Sequence, residues 1–229
     1  MVNVRVFVQN ISAENFWEIG KPIPSVQIAT NLNVVGIKKL AEEMVAFPEW
    51  KDSIHAPKTL MRNATCNSIA PTGTISVIAD TSYSIEPLFA LAYKRVGILG
   101  DKTQIEINKL FLKKMEQMKL WNQELESIVL ETGSVKSSTN VSNAIKDLFQ
   151  TSLEIPWQYH LLHQKAFQKY TDNAVSKTIN LPENASVETI SEIYSTAWKY
   201  KLKGITIYRY GSKHEQVLQK CSLNTDKYC

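Results

Sequence analysis

Cysteine, glycine and proline are all scarce in this chain of 229 residues, and each scarcity excludes a class of protein. The three cysteines, Cys66, Cys221 and Cys229, form no disulfide framework and no Cys-x-x-Cys pattern, so a reducing, cytoplasmic setting is expected. Eight glycines and eight prolines, with 44% hydrophobic residues, are typical of a globular rather than a disordered protein. No apolar run reaches membrane-spanning length, so no membrane partner is expected.

The charge of the chain is also modest. Lysine and arginine number 26 against 22 aspartate and glutamate residues, which gives a net charge of +4. This excess is compatible with a phosphate-bearing ligand, but it is too weak to indicate a nucleic-acid surface. Direct binding of DNA or RNA is therefore not expected.

A strand–helix–strand pattern occupies the last third of the chain. Val175–Leu181 is predicted to form a buried strand that ends before Pro182, and Ile205–Tyr208 a second strand. Between them Ser186 should cap a helix and Gly204 should occupy the left-handed C′ position after it. The predicted apolar face of this helix consists of Val187, Ile190, Tyr194, Ala197 and Trp198. Such a unit requires a parallel sheet and indicates the α/β class.

The other predicted elements are mostly helical. Apolar spacing predicts helices at Val35–Ala46, Ile75–Asp80, Thr103–Met118 and Tyr159–Tyr170, and strands at Val2–Val8 and Asn67–Ala70. Asp101–Thr151 as a whole is expected to be largely helical.

The segment Pro71-Thr72-Gly73-Thr74 lies between the predicted strand Asn67–Ala70 and the predicted helix that starts at Ile75. Gly73 would let the backbone approach a ligand closely, two threonine hydroxyls are available, and the N–H groups at the helix start point outward. These are properties of an anion site. An ordinary turn has the same sequence, so spacing alone leaves both interpretations open.

Three blocks of sequence resemble the large subunits of ribonucleotide reductases, and they occur in that family's order. They are Arg62–Ser76 with Ser84–Ala90, Ala166–Pro182, and Lys203–Arg209. The resemblance implies the C-terminal portion of a ten-stranded α/β barrel. It also suggests an N-terminal segment at 1–60, a barrel segment with a phosphate loop at 61–218, and a flexible cysteine-containing tail at 219–229.

The resemblance implies a substrate and a cofactor. Thr72, Gly73, Thr74 and Ile75 correspond to the loop that holds the diphosphate of a ribonucleoside diphosphate or triphosphate, which the family reduces to a deoxyribonucleotide by radical chemistry. Thr206-Ile207 stands where the iron-dependent class carries adjacent tyrosines. The adenosylcobalamin-dependent class II is therefore favoured, and Arg209–Ser212 resembles a glycyl-radical loop only superficially.

The sequence also departs from the family. The cluster Asn-x-Cys-x-Glu, which bears the radical cysteine and the base, does not occur in Met1–Met61. We therefore expect no catalytic residue on this chain, and a partner polypeptide carrying the radical cysteine half of the barrel, with a thioredoxin-like reductant as a further possible partner. Cys66 is left unassigned and is expected to be a small buried thiol, and shuttling of reducing equivalents by Cys221 and Cys229 is doubtful. The alternative is a non-catalytic remnant or a nucleotide-binding regulatory protein.

The remaining candidate residues have simpler interpretations. His160 and His163 lie three apart on a predicted helix but lack a third metal ligand, so no metal site is expected. Glu86 either contributes to the pocket, or ends a helix or caps a turn. Lys177 and Arg209 either attract phosphate or are solvated cations. The aromatic residues expected to pack in a core or an interface are Trp157, Tyr159, Tyr194 and Trp198.

Overall fold

The computed structural model describes residues 24–79, 81–95 and 104–212. The helices are α1 (Pro24–Met44), a 3-10 helix (Pro48–Asp52), α2 (Gly73–Ile78), α3 (Lys109–Gln117), α4 (Gln123–Thr132), α5 (Asn143–Leu148), α6 (Trp157–Gln168) and α7 (Val187–Lys199). The strands are β1 (Ala92–Arg95), β2 (Gln104–Ile107), β3 (Thr178–Leu181) and β4 (Thr206–Arg209). Across these ranges no helix is long and apolar enough to span a bilayer. The predicted strand Val2–Val8 and the cysteines Cys221 and Cys229 lie outside them.

The predicted helix Thr103–Met118 is wrong in its first part. Gln104–Ile107 is a strand that pairs antiparallel with β1, and the helix begins only at Lys109. The boundary is set by Asn108, whose side chain accepts a hydrogen bond from the backbone N–H of Phe111 at 2.9 Å. This N-cap satisfies a donor that the first helical turn leaves without a partner.

Helices α3, α4 and α5 enclose one hydrophobic core together with β1. Its buried residues are Leu91, Ala92, Phe111, Met115, Leu125, Val129, Val135, Val141 and Ile145. Phe111 meets Trp121 and Phe149 edge-on, with ring centroids 6.1 and 5.1 Å apart. Gly133 ends α4 with a φ of 69°, and a Cβ there would lie 2.9 Å from Cβ of Ala90. Only glycine fits that position without displacing the neighbouring chain.

A second core surrounds the predicted strand–helix–strand unit, and the parallel pairing of its strands is confirmed. β3 pairs with β4 in the register Thr178 with Thr206. Ser186 caps α7 as predicted, because its hydroxyl accepts a hydrogen bond from the N–H of Thr189. The prediction for Gly204 is wrong: α7 ends at Lys199, and Lys201 is the residue with a left-handed φ, 57°.

The predicted buried face of α7 is only partly correct. Ala197 is buried and Ile190 packs against the core, but the centre of the buried face is Ile193, which is fully buried. Val187, Tyr194 and Trp198 are exposed, Trp198 by 80%. The packing surface is therefore rotated around the helix axis, towards the stripe Ile190, Ile193 and Ala197, which has the 3–4 spacing of a helix face.

This assignment of the α7 face predicts unequal effects of two truncations. Ile193→Ala should lower the free energy of unfolding by about 2 to 5 kcal/mol, because it removes buried methyl groups from a packed core. Trp198→Ala should change it by less than about 0.5 kcal/mol, because the side chain is mostly in water. Urea denaturation followed by circular dichroism measures both. A larger loss for Trp198→Ala would show that the other face packs against the sheet.

Candidate functional site

The loop predicted to bind phosphate follows a short extended segment that lies beside the residues leading into β3. Ile69 forms a parallel bridge with Val175, and the N–H of Ser176 donates to the carbonyl oxygen of Ile69 at 2.9 Å. The prediction of an extended segment at Asn67–Ala70 is confirmed in this one bridge. The loop therefore begins beside Ser176, in the part of the chain that leads into β3.

Two residues with left-handed backbone conformations define the shape of this loop. Thr72 has a φ of 50° and Ser84 a φ of 45°, and the N–H of Ser84 donates to Oγ1 of Thr72 at 2.7 Å. The Ser84 hydroxyl in turn donates to the carbonyl oxygen of Ser176 at 3.4 Å. Left-handed φ values are unfavourable for residues other than glycine, so the surrounding structure must hold both residues in place.

The four predicted ligand residues are consecutive, and three of them face solvent. The N–H of Ser76 donates to the carbonyl oxygen of Thr72 at 3.0 Å, which is the first hydrogen bond of α2. The N–H groups of Gly73, Thr74 and Ile75 therefore precede the helical hydrogen-bond ladder. All three residues are exposed, and a Cβ built on Gly73 would meet no atom within 4 Å. The loop thus presents backbone and hydroxyl donors to open space, while its role in phosphate binding stays a prediction.

A buried lysine, Lys177, follows Ser176, whose carbonyl oxygen accepts the Ser84 hydroxyl. The side chains of Lys177 and Glu86 are 1% and 8% exposed, and Nζ of Lys177 lies 2.7 Å from Oε2 of Glu86. Oε1 of the same carboxylate accepts the N–H of Thr178 at 2.6 Å. Nζ also donates to Nδ1 of His160 at 2.8 Å and to the carbonyl oxygen of Thr178. All three ammonium donors and both carboxylate oxygens therefore have partners.

This network corrects two predictions from the sequence. Lys177 is neither a solvated cation nor free to reach a phosphate, because its donors are used inside the protein. Glu86 does not end a helix; it forms a buried ion pair with a residue 91 positions away. Arg209 is exposed and donates to the carbonyl oxygen of Glu183 at 3.3 Å, as expected of a surface cation.

The two histidines of α6 are buried on the same side of the helix. An ammonium group can only donate, so Nδ1 of His160 accepts from Lys177, and Nε2 carries the hydrogen that is donated to the carbonyl oxygen of Ser152 at 3.0 Å. Burial, reinforced by the charge of Lys177, lowers the pKa of His160 and that of His163 to about 3. Both rings are therefore neutral at pH 7. Within the described ranges no three side chains are grouped as metal ligands.

Cys66 is held at the start of the loop segment by Asp172, from the second block. Its N–H donates to Oδ2 of Asp172 at 2.6 Å. The thiol is half-buried rather than fully buried as predicted, and desolvation, with the adjacent carboxylate, raises its pKa to about 11. A thiol with that pKa is protonated at neutral pH and a poor nucleophile. Cys66 remains without a chemical role.

Side-chain amides join the three sequence blocks. Asn67 accepts the N–H of Asp172 at 2.8 Å and donates to the carbonyl oxygen of Tyr170 at 2.9 Å. Gln164 donates to the carbonyl oxygens of Val175 and Gly204, at 3.0 and 2.8 Å. Gln164 was not predicted from the sequence as a structural residue. A polar residue amid the apolar residues Leu161, Leu162 and Phe167 is the one signal in the sequence that pointed to it.

The histidine geometry predicts how stability depends on pH. In the unfolded chain both rings titrate near pH 6.5, whereas the folded protein keeps them neutral down to about pH 3. The unfolded chain binds more protons in this window. The contribution of the two histidines to the free energy of unfolding is therefore fully present above pH 6.5 and is lost as the pH falls. At pH 5 each histidine should cost roughly 2 kcal/mol of unfolding free energy. Urea titrations between pH 5 and 7 test this. His163→Gln should flatten the slope.

The family of this chain follows from comparisons with known proteins. Residues 30–208 match the family model "Ribonucleotide reductase, barrel domain". The chain is 42% identical over 185 residues to a vitamin B12-dependent ribonucleoside-diphosphate reductase of Mycobacterium tuberculosis, covering 81% of this chain and 26% of that protein. A protein of the same name from Thermoplasma acidophilum is 43% identical over 189 residues, covering 82% of this chain and 24% of that protein. The chain therefore spans about a quarter of the length of these relatives.

A solved structure has the same fold. The class Id ribonucleotide reductase alpha subunit of Actinobacillus ureae superposes with a TM-score of 0.64 at 22% identity, over 87% of this chain and 36% of that one. At this identity the likeness concerns the fold alone. The family resemblance of the three blocks is confirmed by the family match, which covers most of the chain. This chain therefore belongs to the ribonucleotide reductase family and contains part of its barrel domain.

Proposed function

We propose that this chain contributes the diphosphate-binding loop to a ribonucleotide reductase that converts ribonucleotides to deoxyribonucleotides. The observation that carries the proposal is the exposed run Gly73–Ile75, which follows the half-buried Thr72. Oγ1 of Thr72 is held by the hydrogen bond from the N–H of Ser84. The radical cysteine and the base belong, in this proposal, to a polypeptide segment outside the 229 residues, because the sequence contains no Asn-x-Cys-x-Glu cluster. A thioredoxin-like reductant and a reducing, cytoplasmic setting belong to the same proposal.

The loop can bind phosphate through two kinds of donor. Oγ1 of Thr72 already accepts the N–H of Ser84, so its own hydrogen is directed elsewhere and is available to a ligand oxygen. Thr74 adds a second hydroxyl, and Gly73, Thr74 and Ile75 add three backbone N–H groups. Donors that converge on an ionised oxygen form charge-assisted hydrogen bonds, which are stronger than neutral ones. The substrate is then a ribonucleoside diphosphate or triphosphate.

We assign the reductase to the adenosylcobalamin-dependent class. The relatives from Mycobacterium tuberculosis and Thermoplasma acidophilum are named vitamin B12-dependent, and β4 has Thr206-Ile207 where the iron-dependent class would carry adjacent tyrosines. When bound, the cofactor supplies the radical that starts the reaction. The α6 histidines do not fit as ligands to the cofactor's metal, because His160 is buried with both ring nitrogens hydrogen-bonded and His163 is buried against Phe167.

Removing the loop hydroxyls should weaken nucleotide binding. In the assembled reductase, Thr72→Val with Thr74→Val should raise the Kd for CDP by about one to three orders of magnitude, because each lost charge-assisted hydrogen bond is worth roughly 1.5 to 3 kcal/mol. Thr72→Ser with Thr74→Ser should restore binding, since it returns the hydroxyls. Thr139→Val, at an exposed threonine elsewhere, is the control. An unchanged Kd in calorimetry with the Val pair would refute the loop assignment.

The 229-residue chain by itself should not reduce ribonucleotides. Hydrogen abstraction requires a thiyl radical held close to the ribose, and positioning of this kind requires a residue on a rigid element. The assay incubates the chain with adenosylcobalamin, a dithiol and each ribonucleotide, with and without the polypeptide that supplies the radical cysteine. Deoxynucleotide should form only in the complete mixture and only with cobalamin. Product from the chain alone would contradict the proposal. Product with an iron subunit and no cobalamin would contradict the assignment to the adenosylcobalamin-dependent class. Absence of product from every mixture would favour a non-catalytic remnant.

A further inference from the structure

Ser84 is the residue that holds the first hydroxyl of the candidate phosphate loop in place. Its N–H fixes the position of Oγ1 of Thr72, yet both residues have left-handed φ values that side-chain-bearing residues rarely adopt. The hydroxyl of Ser84 adds a long hydrogen bond, 3.4 Å, to the carbonyl oxygen of Ser176. These two hydrogen bonds are weak restraints on two unfavourable backbone conformations. Another part of the structure must therefore hold the segment that contains Ser84.

Glu86 provides that attachment two residues further along the chain. One carboxylate oxygen accepts the N–H of Thr178 at 2.6 Å and the other accepts Nζ of Lys177 at 2.7 Å, so the carboxylate is held at two points. Both partners belong to the chain at the start of β3. The preceding residue, Ile85, is buried against Phe167 and Val175. The segment from Ser84 to Glu86 is thereby fixed to the stretch 175–178, whose first residue bridges Ile69 just before the loop.

Lys177 is in turn fixed by its other two hydrogen bonds. It donates to His160 on α6 and to the carbonyl oxygen of Thr178, and its side chain is 1% exposed. An ammonium group with three internal partners cannot contact a ligand without breaking one of them. Lys177 therefore acts on the loop only through Glu86.

We propose that the buried Lys177–Glu86 pair is a positioning device for the phosphate loop, holding Ser84 in its left-handed conformation so that its N–H orients the Thr72 hydroxyl. The inference rests on the proposed function of the loop as a diphosphate site. It assigns to Lys177 and Glu86 an influence on phosphate binding without any contact between them and the nucleotide. The pair is thus a determinant of affinity for the phosphate part of the substrate, and not for its nucleoside part.

The test replaces the pair by neutral side chains of similar size. Lys177→Met with Glu86→Gln removes both charges together, so neither is left buried alone. In the assembled reductase this double variant should raise the Kd for CDP about tenfold or more while leaving the affinity for cytidine, which lacks phosphate, unchanged. In the 229-residue chain, exchange of the Ser84 amide hydrogen, followed by NMR, should become at least about tenfold faster. Circular dichroism and thermal melting establish that the variant is folded. If it does not fold, Lys177→Gln with Glu86→Gln, which also removes both charges but keeps polar side chains at both positions, is measured in the same way.

Two further variants distinguish positioning from general destabilisation. Glu154→Gln is the matched control, because Glu154 also accepts hydrogen bonds at both carboxylate oxygens, from Ser134 and Thr151, and has no hydrogen bond to the loop. It should leave CDP binding and Ser84 exchange unchanged. Ser84→Gly, added to the double variant, should restore part of the lost CDP affinity, since glycine adopts a left-handed φ without strain.

The outcomes separate this inference from the proposed function. If Thr72→Val with Thr74→Val weakens CDP binding but the folded Lys177–Glu86 variant keeps both the original Kd and the slow Ser84 exchange, the positioning role is overturned. If the threonine variants bind CDP normally, the proposed function of the loop fails, whereas Ser84 exchange still reports whether the buried pair holds the segment. Faster exchange with weaker CDP binding and unchanged cytidine binding supports the inference.

Discussion

The ion pair between Lys177 and Glu86 is the interaction on which the candidate site depends. Removing two charges from water costs several kcal/mol for each ion, and this cost is offset only when geometry and additional hydrogen bonds are favourable. Here the ammonium group has three partners and the carboxylate at least two. The pair therefore connects three parts of the chain, the segment after the loop, the start of β3 and helix α6, in one specific arrangement. Losing one partner would leave an unpaired charge in the interior.

Local sequence patterns predicted the elements whose formation depends on near neighbours. The strand–helix–strand unit was predicted correctly because its signals are local: an apolar strand before Pro182, a capping serine at Ser186 and a second strand after the helix. The buried face of α7 was not predicted correctly, because apolar residues lie around much of that helix. Val187, Tyr194 and Trp198 form one stripe and Ile190, Ile193 and Ala197 another. Helical periodicity identifies both stripes, and only the position of the sheet decides which one is buried.

The buried polar residues were the part that sequence patterns could not supply. Lys177 finds Glu86 across 91 positions, and Gln164 reaches Gly204 across 40. A lysine or glutamine in a sequence is by default a surface residue, because burying it without partners is costly. The information that reverses this default is the location of the partner, which only the folded chain provides. The donors of the loop at Thr72, by contrast, were predicted from residues adjacent in the sequence.

The three blocks that carry the family resemblance form one physical unit. Asn67 joins the first block to the second, Glu86 and Lys177 join them again, and Gln164, just before the second block, connects Val175 to Gly204 in the third. Each link is a hydrogen bond from a side chain to a distant segment, and most of them are withdrawn from water. Polar side chains whose hydrogen-bond donors are paired in this way hold the segments that they join in one arrangement. In the proposed function, this arrangement would fix the exposed donors of the loop before a ligand arrives and so reduce the entropy lost on binding.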